Sequence, residues 1–142
     1  MRKIAATVAL AILAVLPLHG EDKVAERFLP AIQALEDGTL KLRCTKAALA
    51  IDRWSKRLKV QNWEIELVCA EYPQIPGAYG VTELRHAVRH ARIWINVQTG
   101  RDPEEIAIHE LLHIVMREAS TSAVGEEQAV WTLTALLWNR KE

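Results

Sequence analysis

Asp102-Pro103-Glu104-Glu105-Ile106-Ala107-Ile108-His109-Glu110-Leu111-Leu112-His113-Ile114-Val115-Met116 is the stretch on which the reading of this chain turns. Asp102 offers a side-chain acceptor to the unpaired backbone N–H groups that begin a helix. Pro103 suits the first helical position, where its missing N–H has no partner to lose, and Glu105 stands three residues after the cap. The acidic first turn also complements the positive end of the helix dipole. Ile106, Ile108, Leu111, Leu112, Ile114, Val115 and Met116 leave almost no polar face, so the helix is expected to be buried. Within that apolar body sit two histidines and a glutamate, groups that destabilise a buried helix unless they are ligated or bonded.

Histidines at i and i+4 project from one helix face, near enough for both imidazoles to hold one metal ion. Glu110 lies about 100° round the helix from His109, where its carboxylate reaches a water on that ion without ligating the metal. Zinc would acidify such a water and polarise a scissile carbonyl, while the glutamate takes the proton and later hands it to the leaving amine. A catalytic zinc needs a third protein ligand and one open position. His113 is the last histidine and no cysteine follows it, so the candidates are carboxylates: Glu118 on the same helix, and Glu126 and Glu127 at the head of the next. On a helical wheel Glu126 falls among Val130, Leu133 and Leu137, whereas Glu127 points to the edge bearing Trp131 and Trp138. Glu126 is therefore the expected ligand and Glu127 the alternative, reachable if the two helices run antiparallel. The competing reading of Glu126 is an acidic residue that simply complements a helix N-terminus.

Upstream of the motif, residues 91–97 alternate strictly, with Ile93, Ile95 and Val97 on one face and Arg92, Trp94 and Asn96 on the other, which predicts a strand. Trp63, Ile65 and Leu67 alternate with Glu64 and Glu66 in the same way. Between them, residues 71–80 contain Pro73, Pro76, Gly77 and Gly80 and read as a loop, with a short strand at 81–84. Helices are expected at 21–35, where Pro30 intrudes, at 45–58 after an Asp37-Gly38 turn, and at 126–138.

The chain has 142 residues, 50% hydrophobic and 25% charged, which suits one globular domain with one core. Its 18 Lys plus Arg are matched by 18 Asp plus Glu, so there is no electrostatic footprint for nucleic acid or an anionic membrane. Residues 1–20 differ in kind: Arg2 and Lys3 precede an uncharged apolar run from Ile4 to Leu16, followed by Pro17 and Gly20. That order is a secretory signal peptide, leaving a domain of residues 21–142, exported to the periplasm or the extracellular space. The run is short for a membrane span, an uncleaved N-terminal anchor being the alternative. Export changes the meaning of Cys44 and Cys69, since thiols pair in an oxidising compartment. A helix over 45–59 and a strand over 62–68 each cover roughly 22 Å, so a strand doubling back along the helix brings the two together as a disulfide. Two unpaired buried thiols are the alternative.

The motif helix, its upstream strand and the following glutamate helix, roughly residues 91–138, resemble a minimal zincin metallopeptidase of the gluzincin type. The resemblance implies an α+β fold in which a short, mostly antiparallel sheet packs on the central motif helix and the C-terminal glutamate helix. It implies a zinc cofactor, a peptide or protein substrate and endopeptidase chemistry. It also implies that the strand before the motif helix is a sheet edge along which substrate lies, giving Arg92, Trp94 and Asn96 a substrate-binding role. Large gluzincins carry a further helical domain with an oxyanion-stabilising tyrosine or histidine, for which this chain has no room. Tyr79, His86 and His90 are the candidates here. His86 and His90 precede a strand, where a four-residue spacing separates side chains by about 13 Å, so they are not expected to share a metal. Two other readings compete: a zinc hydrolase of a formyl or other amide, with Cys69 as an upstream ligand, and a zinc-stabilised binding module. Glu110 argues against the second, because a structural site needs no general base.

Overall fold

The computed structural model describes residues 23–72, 74–75, 77–119 and 125–140; the signal-peptide reading of residues 1–20 lies outside them. The described chain is a small α+β domain. A 3-10 turn at Glu26–Phe28 leads into a short helix α1 (Leu29–Gln33), with Pro30 in its first turn and the Phe28 ring fully buried. The single helix expected over 21–35 is thus limited to these short pieces. Helix α2 (Gly38–Arg57) begins a full seven residues earlier than the hydrophobic pattern indicates. Asp37 is the reason: its side chain accepts a hydrogen bond from the Leu40 N–H at 3.0 Å, so the Asp-Gly pair starts a helix instead of closing a turn.

Strands β1 (Glu64–Ala70), β2 (Gly80–Arg85) and β3 (His90–Asn96) form one sheet in the order β1-β3-β2. β3 pairs parallel with β1, Glu64 opposite His90 and Ala70 opposite Asn96, and antiparallel with β2, Gly80 opposite Ile95 and Arg85 opposite His90. The sheet is therefore mixed, not mostly antiparallel. β2 and β3 form a hairpin whose connection runs through a 3-10 turn at His86–Val88 and Arg89 in the left-handed region, φ 48°.

Helices α2 and α3 (Pro103–Ala119) cover one face of the sheet, and α4 (Glu126–Asn139) packs on α3. Ile65, Leu67, Ile93 and Ile95 from the strands meet Ala47, Ala48, Ile51, Ile106, Ile108, Leu111 and Ile114 from the helices in a continuous core. The opposite face is polar, with Arg92 Nε 3.0 Å from Glu66 Oε2 and the Trp94 indole N–H donating to Glu83. Cys44 of α2 and Cys69 of β1 are joined in a disulfide, Cα–Cα 5.8 Å, as the matched lengths of helix and strand predict. No helix among the described residues is long and apolar enough to cross a membrane.

Candidate metal centre

The start of α3 is fixed from two directions. Asp102 Oδ1 accepts from the Glu104 N–H at 2.9 Å and the Asp102 carbonyl accepts from Ile106 N–H at 3.1 Å, so Asp102 caps the helix as expected. The expected partner at the third helical position does not reach back: Glu105 pairs instead with Arg101 at 2.8 Å. Arg43 of α2 ties down the preceding loop, donating from Nε to the Val97 carbonyl and from Nη2 to the carbonyls of Thr99 and Arg101, all at 2.7 Å. An arginine 54 residues upstream in sequence has no local signal that announces this task.

From that anchored helix His109 and His113 project together, Nε2 to Nε2 3.3 Å. Glu127 comes in from α4 and spans them, Oε1 2.9 Å from His109 Nε2 and Oε2 3.1 Å from His113 Nε2. These three are the one group of metal-competent side chains among the described residues. Two ligand atoms on a tetrahedral zinc, each about 2.05 Å from the ion, lie about 3.3 Å apart. The nitrogen separation meets that spacing, and two imidazoles with a carboxylate form a donor set that suits zinc.

Glu126, the ligand expected from the helical wheel, stands outside this group. Its side chain is 9% exposed; Oε2 sits 2.9 Å from His113 Nδ1 and Oε1 accepts from Arg117 Nε at 2.7 Å. Both partners stabilise its charged form and hold its pKa below the usual carboxylate value against the opposing effect of burial. As the wheel has it, Glu126 lies with Val130 on the packed side of α4 and Glu127 with Trp131, but Leu133, expected beside Glu126, is exposed. The histidines open toward the tryptophan edge, where the Trp131 ring packs tilted against that of His109, centroids 4.1 Å apart. His113 thus has a carboxylate behind it, whereas His109 Nδ1 is buried without a hydrogen-bond partner among the described residues.

Glu110 is 3% exposed, and burial pushes its carboxyl up to about 7. Thr82 on β2 donates to its Oε2, while Oε1 faces the cluster 3.9 Å from His109 Nε2. Gly80 allows this approach: a Cβ there would stand 2.8 Å from Glu110 Oε1, 2.8 Å from the Trp94 carbonyl and 2.9 Å from Ile106 Cγ2. Sequence reading missed Thr82, and took Gly80 only as loop punctuation.

Two cavities meet at the cluster. One of about 410 Å³ lies between β2 and the C-terminal turns of α3; the other, of about 310 Å³, is walled by Ala78, Tyr79, Ile106 and Trp131. The expectation that residues 92–97 form a sheet edge is corrected, because β3 is the central strand and hydrogen-bonds on both sides. Arg92, Trp94 and Asn96 line neither cavity: Arg92 and Trp94 are on the polar face, and Asn96 is buried, donating to the Ala78 carbonyl at 3.2 Å. The edge strand beside the cluster is β2.

Tyr79 does border the second cavity, packed edge-on to Trp131 with the Arg101 guanidinium 4.5 Å over its ring. His86 and His90 sit elsewhere, His86 against the Trp63 ring and His90 3.7 Å from Glu66. Cys69, being disulfide-bonded, offers no thiolate, which removes the amide-hydrolase arrangement with a cysteine ligand. Comparison with protein-family models, curated proteins and solved structures finds no match to the chain.

Proposed function

We propose that this protein is an exported zinc-dependent peptidase, with His109, His113 and Glu127 as metal ligands and Glu110 as general base. The observation that carries the reading is the convergence of those three donors beside a buried carboxylate that a purely structural metal site would not require. Zinc bound there supplies Lewis-acid polarisation of a carbonyl and acidification of water.

The chain's own residues supply the rest. Thr82 holds Glu110 Oε2, so Oε1 is the atom that accepts a proton from the attacking water and returns it to the leaving amine. In the metal-free site burial raises the Glu110 carboxyl above the usual carboxylate range. Glu126 orients His113 through Nδ1. The free edge of β2 takes the substrate backbone as an added strand, in place of residues 92–97. Tyr79, which borders the second cavity, is the candidate for stabilising the oxyanion. The Cys44–Cys69 disulfide is compatible with an oxidising compartment and supports export.

The test is cleavage of casein and quenched-fluorescence peptides by zinc-loaded protein. Chelation is expected to abolish cleavage. Glu110→Gln is expected to keep one zinc per chain while losing at least about a hundredfold in rate. Zinc without cleavage of any peptide would favour a metal-stabilised binding module, and absence of zinc would end the assignment.

A further inference from the structure

The larger cavity contains one positively charged side chain. Arg117 lines it together with Thr82, Leu84 and the residues of the cluster, against the carboxylates of Glu110, Glu126 and Glu127. Arg117 stands four residues beyond His113 on α3, which places it about 6 Å further along the helix axis. Its attachment is specific. Nε donates to Glu126 Oε1 at 2.7 Å, and Glu126 is itself fixed by His113. An arginine present only as a counter-charge pairs most strongly with a carboxylate through two parallel N–H bonds. Here a single bond through Nε does that work. The side chain is 41% exposed, and among the described residues no hydrogen bond is made by Nη1 or Nη2.

We infer that the Nη pair of Arg117 is a carboxylate-binding site of the cleft, and that it selects substrates carrying an anionic group on that side of the bond cleaved. The inference rests on the peptidase reading for the identity of the ligand as a peptide. The two terminal nitrogens form the planar fork that accepts both oxygens of a carboxylate, and the Glu126 contact holds that fork in place before substrate arrives. An extended peptide advances about 3.3 Å per residue, so the backbone offset of about 6 Å between His113 and Arg117 along α3 corresponds to about two residues of a substrate strand. The remaining walls, Val81, Thr82 and Leu84 of β2, offer an anion no other cationic partner. The carboxylate has two sources, an acidic side chain or the end of the peptide.

The experiment uses quenched hexapeptides with Asp, Asn or Ala at each position flanking the cleaved bond, each made as the C-terminal acid and the amide. They are tested on zinc-loaded wild type and Arg117→Gln. The readout is a ratio of kcat/KM values, Asp over Asn or acid over amide, because loss of support for Glu126 slows both members of a pair alike. Wild type is expected to prefer the anionic member on the order of tenfold at one position, and Arg117→Gln to bring the ratio near one. A preference tied to Asp identifies a side chain; one tied to the free acid identifies a chain terminus. Binding of the same peptides to Glu110→Gln and to Glu110→Gln/Arg117→Gln, read by tryptophan fluorescence, separates this inference from the peptidase reading. Anion preference in binding that depends on Arg117, without cleavage by wild type, would remove the peptidase and leave the carboxylate site. Cleavage without anion preference, or a preference that survives Arg117→Gln, would overturn the carboxylate site alone.

Discussion

Glu126 and Glu127 are neighbours in sequence with opposite surroundings. Glu127 is 63% exposed and reaches both histidine Nε2 atoms, whereas Glu126 is buried against His113 Nδ1 and Arg117. On the proposed reading one is a ligand and the other a positioning residue, so their alanine variants separate. Glu127→Ala is expected to purify with well under one zinc per chain. Glu126→Ala is expected to retain a full equivalent bound about 10- to 100-fold more weakly in competition with a chromophoric chelator. Equal loss in the two variants would remove the distinction. Glu110 has a cost of its own. Folded, it keeps its proton to about 7; unfolded, it releases it near the usual 4.5. The folded state therefore binds more protons between those values, and stability falls as pH rises through that window. Glutamine carries no charge at any pH, so metal-stripped Glu110→Gln should match wild type in urea at about pH 4 and exceed it by about 3 kcal/mol above pH 7. A difference that stays constant with pH would show that the carboxylate bears no such penalty.

Among the helices, α4 is held chiefly by one neighbour. Its buried residues are Glu126, Val130 and Thr134, and its main packing partner is α3. The carboxylates at its head therefore make up a large share of its attachment. With zinc removed, amide exchange across 126–139 is expected to accelerate at least about tenfold while β1, β3 and α2 keep their protection. Unchanged exchange in α4 on chelation would argue that no metal bridges the two helices. Which elements the sequence discloses follows from the range of the forces that make them. α3 is legible because its signals, the Asp102 cap, Pro103 and the apolar periodicity, act within one or two turns. β3 is legible as a strand from its alternation, but alternation reports burial of a face, not pairing of an edge. Its central place depends on β1, which pairs with it from across the intervening loop and β2, and not on its hairpin partner alone. For the same reason His109, Glu110 and His113 stand out in one helix turn, while Thr82 and Gly80 become part of the site only through the fold of β2 against α3.

At the scale of the whole molecule, two cross-links act on different parts of the structure and should fail differently. The disulfide joins α2 to β1, with Cys44 fully buried and Cys69 nearly so. The metal site ties α4 to α3 at the rim. Closing a loop over the sequence separation of 25 removes unfolded-state entropy equivalent to about 3.5 kcal/mol. That is a large fraction of the 5–15 kcal/mol typical of a single domain. The Cys44→Ala/Cys69→Ala protein, kept in zinc, is therefore expected to lose about that much stability in one cooperative transition detected equally by tryptophan fluorescence and far-ultraviolet circular dichroism. Its folded fraction should bind zinc with wild-type affinity, because none of His109, His113 and Glu127 lies on α2 or β1. Wild type stripped of zinc should show the opposite pattern, an early loss of helical signal from α4 with the sheet still folded. If removing the disulfide weakened zinc binding as much as it weakened the fold, the two cross-links would belong to one cooperative unit, and the division between a rigid α2–β1 layer and a metal-held α4 would be wrong.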